Sequence, residues 1–213
     1  MRREHKSEQS YIDWLKSFGC ILYFPFSESG DLTDRISGNN LILTGYGSLG
    51  WNNSINMMSF NLPQYGRQLA TFDTGWSNST FQNNSTTVLA TGKRISTSGY
   101  WNTITVGNNV PFVSPFNCQS GQSITSNFAA HNDNINKFGS AIDDTKRVTY
   151  YNGSLLANLS PYSPQQPWNW GGFQLRIGAY DGNASNKQFY LKDYMIFNTE
   201  LDLQTIRKIQ GYE

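Results

Sequence analysis

The sequence predicts an all-β domain, a sandwich or barrel of short strands with one short helix at each end. Two compositional facts and one pattern point there. Aromatic residues make up 15% of the 213 positions (6 Trp, 12 Tyr, 13 Phe), and 23 Asn, 23 Ser and 16 Thr stand against five Glu. Tyr, Phe, Trp and Thr suit pleated surfaces, whereas Asn, Ser and Gly suit turns. From about residue 20 to residue 198, short apolar or alternating runs are separated by Gly, Asn, Asp and Ser clusters, the spacing of a sandwich or barrel. The length fits one large domain with a substantial core.

Residues 1–19 read as a polar leader and a short helix. Tyr11, Trp14, Leu15 and Phe18 fall at i, i+3, i+4 and i+7, with Ser10-x-x-Asp13 as the expected cap and Gly19 as the stop. Residues 20–213 read as the sandwich. Its predicted strands are Ile21–Phe26, Leu41–Thr44, Met57–Leu62, Gln68–Phe72, Thr86–Ala90, Thr103–Val106, Ser123–Phe128, Phe138–Ile142, Arg147–Tyr151, Ser154–Leu159, Phe173–Gly178 and Phe189–Phe197. The clearest hairpin turns at Asn152-Gly153, which supplies the positive φ angles of a two-residue type I′ turn. A second turn is expected over Asp143–Lys146, and the Pro-rich Ser160–Pro167 reads as an ordered surface loop. In the closing helix Asp202 caps a turn carrying Ile206 and Ile209, Leu201 staples against Ile206, and Gly211 ends it.

Only 15% of residues are charged and the formal net charge is +1, which argues against a nucleic-acid or membrane-surface partner held by electrostatics. Membrane insertion is not expected: the longest apolar stretch, Cys20–Phe26, is strand-sized, far short of the ~20 residues of a spanning helix. The residues from Met1 to Glu8 lead into no apolar segment of the kind a secretory signal carries. Cys20 and Cys118 read either as two buried thiols or as a single disulfide.

Several segments, in order, resemble the laminin-G-like branch of the concanavalin A-like lectin/glucanase superfamily. Phe138-Gly139-Ser140-Ala141-Ile142 resembles the family's strand before its central hairpin, and Arg147-Val148-Thr149-Tyr150-Tyr151-Asn152-Gly153 the hairpin itself. Phe173-Gln174-Leu175-Arg176-Ile177-Gly178 is similar to its L-x-I-G strand, and the run from Phe189 to Leu201 to its closing strand. Near the start, Leu22-Tyr23-Phe24-Pro25-Phe26, Asp34-Arg35-Ile36-Ser37-Gly38 and Leu41-Ile42-Leu43 are similar to the family's opening L-x-x-x-F…D-x-S-G stretch. The match is weaker from Asn83 to Asn136. The resemblance implies a jelly-roll sandwich of two antiparallel sheets with short N- and C-terminal helices. It leaves function open, because the fold hosts lectins, adhesion modules, virion components and hydrolases.

Chemistry-bearing constellations are sparse. Gly45-Tyr46-Gly47-Ser48-Leu49-Gly50 is a literal G-x-G-x-x-G, but Trp51–Asn56 is a poor helix start, so it reads as a glycine-rich turn between strands. Glycoside hydrolysis needs two facing carboxyls, and the E-x-D-x-x-E of the superfamily's glucanases is missing. The only Glu residues within the strand region are Glu28 and Glu200, at element ends, and Asp143-Asp144 sits on a turn. His5 and His131 have no second His or Cys at zinc-ligand spacing. No cofactor is required, and the ion these loops suit is calcium, with Asp133 and Asp181 as its candidate ligands among Asn neighbours. For sugars, flat aromatic faces beside planar amides are needed, which makes Tyr100-Trp101-Asn102 and Trp168-Asn169-Trp170 the candidate glycan platform; the competing role for such tryptophans is core or loop anchoring. Seven N-x-S/T sequons occur where 23 Asn and 39 Ser plus Thr give about four by chance, so they carry little weight.

The expected function is therefore that of a non-catalytic, lectin-like structural or adhesion protein. The composition, poor in Lys and Glu and rich in Asn, Ser, Thr and Tyr, resembles bacteriophage structural proteins. On that reading the protein is a fibre, decoration or adhesin component of a virion assembled in the host cytoplasm. Its partners would be other virion subunits or copies of itself, and cell-surface glycans. Arg2, Arg3 and Lys6 precede the first helix, whose apolar face would serve either assembly or capping of the sandwich. The alternative is a carbohydrate-binding module of a bacterial cell-surface system, and third comes a glycoside hydrolase or polysaccharide lyase.

Overall fold

A computed structural model describes residues 7–61, 68–94, 104–106, 112–113, 117–119, 126–127, 135–142, 147–159, 174–178 and 188–212. The chain opens with α1 (Glu8–Ser17), β1 (Cys20–Phe24), β2 (Ile42–Leu43), β3 (Ser48–Asn52), β4 (Met57–Asn61) and β5 (Gln68–Asp73). After two single 3-10 turns come β6 (Thr86–Arg94), β7 (Ile104–Val106), β8 (Phe112–Val113), β9 (Asn117–Gln119), β10 (Ser126–Asn127) and β11 (Asn136–Ile142). The remainder is β12 (Arg147–Tyr151), β13 (Ser154–Leu159), β14 (Gln174–Gly178), β15 (Gln188–Phe197) and α2 (Leu203–Gln210).

Every strand pair is antiparallel. An eight-stranded sheet runs β13-β12-β11-β6-β15-β4-β3, with β1 also on β15; β2-β5-β14-β7 form a four-stranded sheet and β10-β9-β8 a small ribbon. The ten-residue β15 is the spine: β6 flanks one side, while β4 and β1 share the other, pairing with Gln188–Leu191 and with Tyr194–Phe197. Leu22, Phe24, Phe60, Val88, Phe189 and Ile196 from the large sheet meet Leu69, Phe72 and Leu175 from the small one in a single core. A chain of rings crosses it: Phe72 on Phe24 (5.3 Å), Phe24 on Phe26 (5.7 Å), Phe26 on Phe60 (5.1 Å) and Phe60 stacked on Phe189 (4.8 Å).

Although separated by the whole sandwich in sequence, both helices lie on the outer face of the large sheet. Tyr11, Ile12 and Leu15 of α1 and Ile206 and Ile209 of α2 pack with Tyr23, Leu89, Ala141, Val148, Tyr150, Met195 and Phe197. The face of α1 predicted from its apolar period is thus spent on capping the sheet. Its cap differs from the expected one. Ser7, not Ser10, is the N-cap: its Oγ accepts from Ser10 N at 3.1 Å, and Ser10 Oγ accepts from Ser7 N at 3.2 Å. A reciprocal box with serine at both ends starts the helix one turn early, because its polar first turn carries no apolar period. At the other end, Asp202 Oδ1 accepts from Thr205 N at 2.7 Å, Leu201 and Ile206 are buried together, and Gly211 adopts φ 77°. The Asn152-Gly153 turn has φ 48° and 75°, as its type I′ geometry demands.

The glycine-rich turn is shorter than expected. It occupies residues 44–47, with Gly45 and Gly47 at φ 83° and 78°, and Ser48–Asn52 continue as β3 against β4. Leu41–Thr44 narrows to Ile42–Leu43, and β8 and β9 fall where no strand was expected.

The D-x-S-G-like segment has a physical explanation. Asp34 is fully buried, and its carboxylate accepts from Tyr23 N (2.7 Å), Ile36 N (3.1 Å), Ser37 N (3.0 Å) and Ser37 Oγ (2.6 Å). Gly38, at φ 79°, returns its N–H to the Asp34 carbonyl. One side chain thereby fastens the loop after β1 to β1 itself. Arg35 adds ion pairs to Asp31 (2.5 Å) and to Glu8 of α1 (3.1 Å).

Cys20 is a free thiol, buried beneath α1; the Cys118 side chain lies outside the described residues. Burial pushes Cys20 and Tyr194 far above their ordinary values, and it pushes Tyr150 up to about 12, with Glu200 and Asp202 adding to the effect. The unfolded chain therefore loses these protons first, so their contribution is complete below the ordinary values and is lost as pH rises past them. The melting temperature is expected to hold between pH 6.5 and 8 and to fall above about pH 8.5–9, where an unfolded cysteine ionises, each such group costing about 1.4 kcal/mol per pH unit. In Cys20→Ala the onset should move to about pH 10, the ordinary tyrosine value; an unmoved onset in thermal melts would contradict this assignment.

Candidate functional site

Alternation along β15 reverses partway. Phe189 and Leu191 face the sandwich core, and so do Tyr194 and Ile196, although the first pair is odd-numbered and the second even. The reversal comes from one extra residue: Leu191 pairs with Gly92 and Asp193 with Thr91, leaving Lys192 as the bulged position against β6. With both neighbours, Leu191 and Tyr194, turned into the core, the two consecutive charged side chains Lys192 and Asp193 project from the helical face. Bulges re-aim side chains in this way beside binding sites.

The bulge forms one wall of a cleft of about 290 Å³ between the two helices. Its floor is apolar: Tyr11 of α1, Tyr23 of β1, Leu89 of β6, Met195 of β15 and Ile209 of α2. Its rim is polar: Thr91, Lys137, Lys192, Asp193 and Gln210. Tyr11 and Tyr23 meet edge to face, ring centroids 5.7 Å apart. Lys137 Nζ donates to the Gln210 main-chain carbonyl at the C-terminus of α2 and stands 4.4 Å from the Tyr212 ring centroid. This cation closes the negative end of the helix. Burial lowers the Lys137 pKa, Asp193 opposes that shift and Lys192 adds to it. Gln210 Nε2 donates to the Phe138 carbonyl at 2.9 Å, which fixes the amide, while its Oε1 is a buried acceptor with no hydrogen-bond partner among the described residues.

Such a cleft offers a polar rim, the Asp193 carboxylate and the Lys192 ammonium for hydroxyls or a single charge, above an apolar floor in which the Tyr11 and Tyr23 rings are themselves buried. Its size lies at the small end of ligand pockets. Among the described residues no group of three or more His, Cys, Asp or Glu side chains gathers as a metal site would require, and no helix is long and apolar enough to cross a membrane.

The sequence-predicted site residues Tyr100, Trp101, Trp168 and Trp170, and the calcium candidates Asp133 and Asp181, all lie outside the described residues, as do His5, His131, Asp143 and Asp144. The described tryptophans Trp14, Trp51 and Trp76 are part-buried and anchored against the two cores. Sequence reasoning missed the cleft. The one local signal was the Phe-Tyr-Leu-Lys-Asp-Tyr-Met-Ile-Phe stretch, whose apolar parity flips at Lys192-Asp193.

No protein family and no curated protein matches the chain. Solved structures do. The receptor binding domain of botulinum neurotoxin D aligns with a TM-score of 0.62 at 13% identity, over 91% of this chain and 53% of that one. A structure of botulinum neurotoxin type C, whose passage into cells depends upon interaction with two ganglioside molecules, gives 0.61 at 14% identity over 93% and 53%. The binding domain of botulinum neurotoxin DC in complex with rat synaptotagmin II gives 0.60 at 15% identity over 92% and 52%. The chain spans about half the length of the structures it matches. At these identities the likeness shows the fold, a lectin-like β-sandwich, and does not single out the laminin-G-like branch.

Proposed function

We propose that the protein is a non-catalytic recognition domain that binds a glycan through the cleft between α1 and α2. What carries this reading is that almost the whole chain shares the sandwich of receptor-binding domains. The cleft supports it by its chemistry, an apolar floor beneath a rim that carries Lys192 and Asp193. In the finer reading the domain belongs to a bacteriophage virion, as a fibre, decoration or adhesin component. The Asn-, Ser-, Thr- and Tyr-rich composition supports that placement. A bacterial cell-surface carbohydrate-binding module is the alternative.

A glycan array, run with calcium and with chelator, tests the reading. Binding is expected for the native chain, and Asp193→Asn or Lys192→Ala should weaken it by about tenfold, roughly the worth of one charge-assisted hydrogen bond. Trp168→Ala/Trp170→Ala is the control. Loss in that control alone would move the site to the aromatic loops, and chelator sensitivity would add calcium there. A folded protein that binds no glycan would overturn the proposal.

A further inference from the structure

From Ile36 to Gly66 the sequence contains no charged residue. Within that run fall β2 and β3, joined by the short turn at residues 44–47, and each is the edge of its sheet: β2 pairs only with β5 and β3 only with β4 among the described residues. Among the described residues this border of the sandwich carries no further strand on β2 or β3, although residues 32–33 lie beside 40–41 just before β2. Three of the five exposed large hydrophobic side chains of the described residues sit there, Ile42 (57%), Leu43 (50%) and Tyr46 (46%), beside the half-buried Leu49 and Trp51. Native edges are normally blunted by lysine, proline, a bulge or a covering segment. Here β3 pairs with β4 in unbroken register from Ser48 to Asn52, and no charge or proline lies along it.

We infer that two copies of the chain join edge to edge through β3, antiparallel about a two-fold axis at Gly50. The strand is self-complementary in that register. Gly50 meets Gly50, Leu49 faces Trp51 on the core side, and Ser48 faces Asn52 on the other, apolar against aromatic and hydroxyl against amide. A two-fold contact places each patch against itself, so a neutral patch escapes the like-charge repulsion that a charged edge would suffer. Nothing lies within 4 Å of the position a Cβ on Gly50 would take, and its backbone φ is not positive. A side chain there fits the monomer and, in the dimer, would stand on one sheet face directly beside its own copy across the axis. The joined sheets would form one continuous layer, with Ile42, Leu43 and Tyr46 flanking the seam.

Sedimentation velocity and light scattering on the full chain test this. The native protein is expected to be a dimer at micromolar concentration. Gly50→Lys and Gly50→Asp should each raise the dissociation constant about tenfold or more through like charges at the axis, and an equimolar mixture of the two should regain dimers because opposite charges then meet. Unchanged circular dichroism and urea midpoints would show that the variants fold. A native chain that stays monomeric, a dimer untouched by both variants, or a mixture that stays monomeric would each overturn the inference. The glycan reading stands or falls separately, since neither Gly50 variant touches the cleft.

Discussion

Asp34→Ala is expected to destabilise the protein by about 3–5 kcal/mol, the range for leaving buried groups without their charged partner. Four donors, three of them backbone N–H groups, converge on this carboxylate where no solvent reaches it. The alanine variant leaves all four without an acceptor and frees the loop of residues 34–38 from β1. Asp34→Asn keeps one oxygen but turns an NH₂ toward N–H donors, so about 2–3 kcal/mol is expected. Ser37→Ala removes only the 2.6 Å hydroxyl bond, and about 1 kcal/mol should follow. Urea unfolding measures all three. A loss below 1 kcal/mol in Asp34→Ala would mean that water replaces the carboxylate at little cost.

The second large effect is expected at Phe60. Its ring is fully buried, stacked on Phe189 with 3° between planes and edge-on to Phe26. Phe60→Ala opens a cavity in the middle of the ring chain that ties β4 and β15 to β1 and, through Phe24 and Phe72, to the small sheet. About 3–5 kcal/mol should be lost, against about 1–1.5 for Phe60→Leu, which keeps most of the volume. The same unfolding curves read this. Equal losses in the two variants would place the energy in ring stacking rather than in filled volume.

What could be read from the sequence was what neighbouring residues decide. The second helix was legible entire, because Leu201, Asp202, Ile206 and Gly211 each act within a few positions. The Asn152-Gly153 hairpin was legible for the same reason. Ser7 was overlooked since both Ser7 and Ser10 precede the apolar period, and only geometry tells which of them caps. The strand β3 was hidden by its glycines: Leu49 and Trp51 alternate properly, but Gly50 between them contributes no side chain to the pattern. The cleft lay beyond local reading, because Tyr11, Tyr23, Lys137, Asp193 and Gln210 come from five elements. Only the folded sheet brings them together. The glycan platform expected at Tyr100, Trp101, Trp168 and Trp170 and the calcium ligands expected at Asp133 and Asp181 lie outside the described residues, and glycan and chelator measurements address them.

The position of β15 has a consequence for how the chain is made. The strand that β1, β4 and β6 all pair with comes after all three in the chain and is the last of the described strands. At the usual elongation rate, β1 waits roughly ten to thirty seconds after leaving the ribosome for its partner. Until then the apolar Cys20-Ile21-Leu22-Tyr23-Phe24 has no sheet to join, and Tyr11 and Leu15 of α1 have no surface to cover. Closure of the large sheet is thus a late, long-range event, with much of the loop-closure entropy met before the central contacts form. The nascent chain is most exposed to aggregation in the interval before β15 emerges.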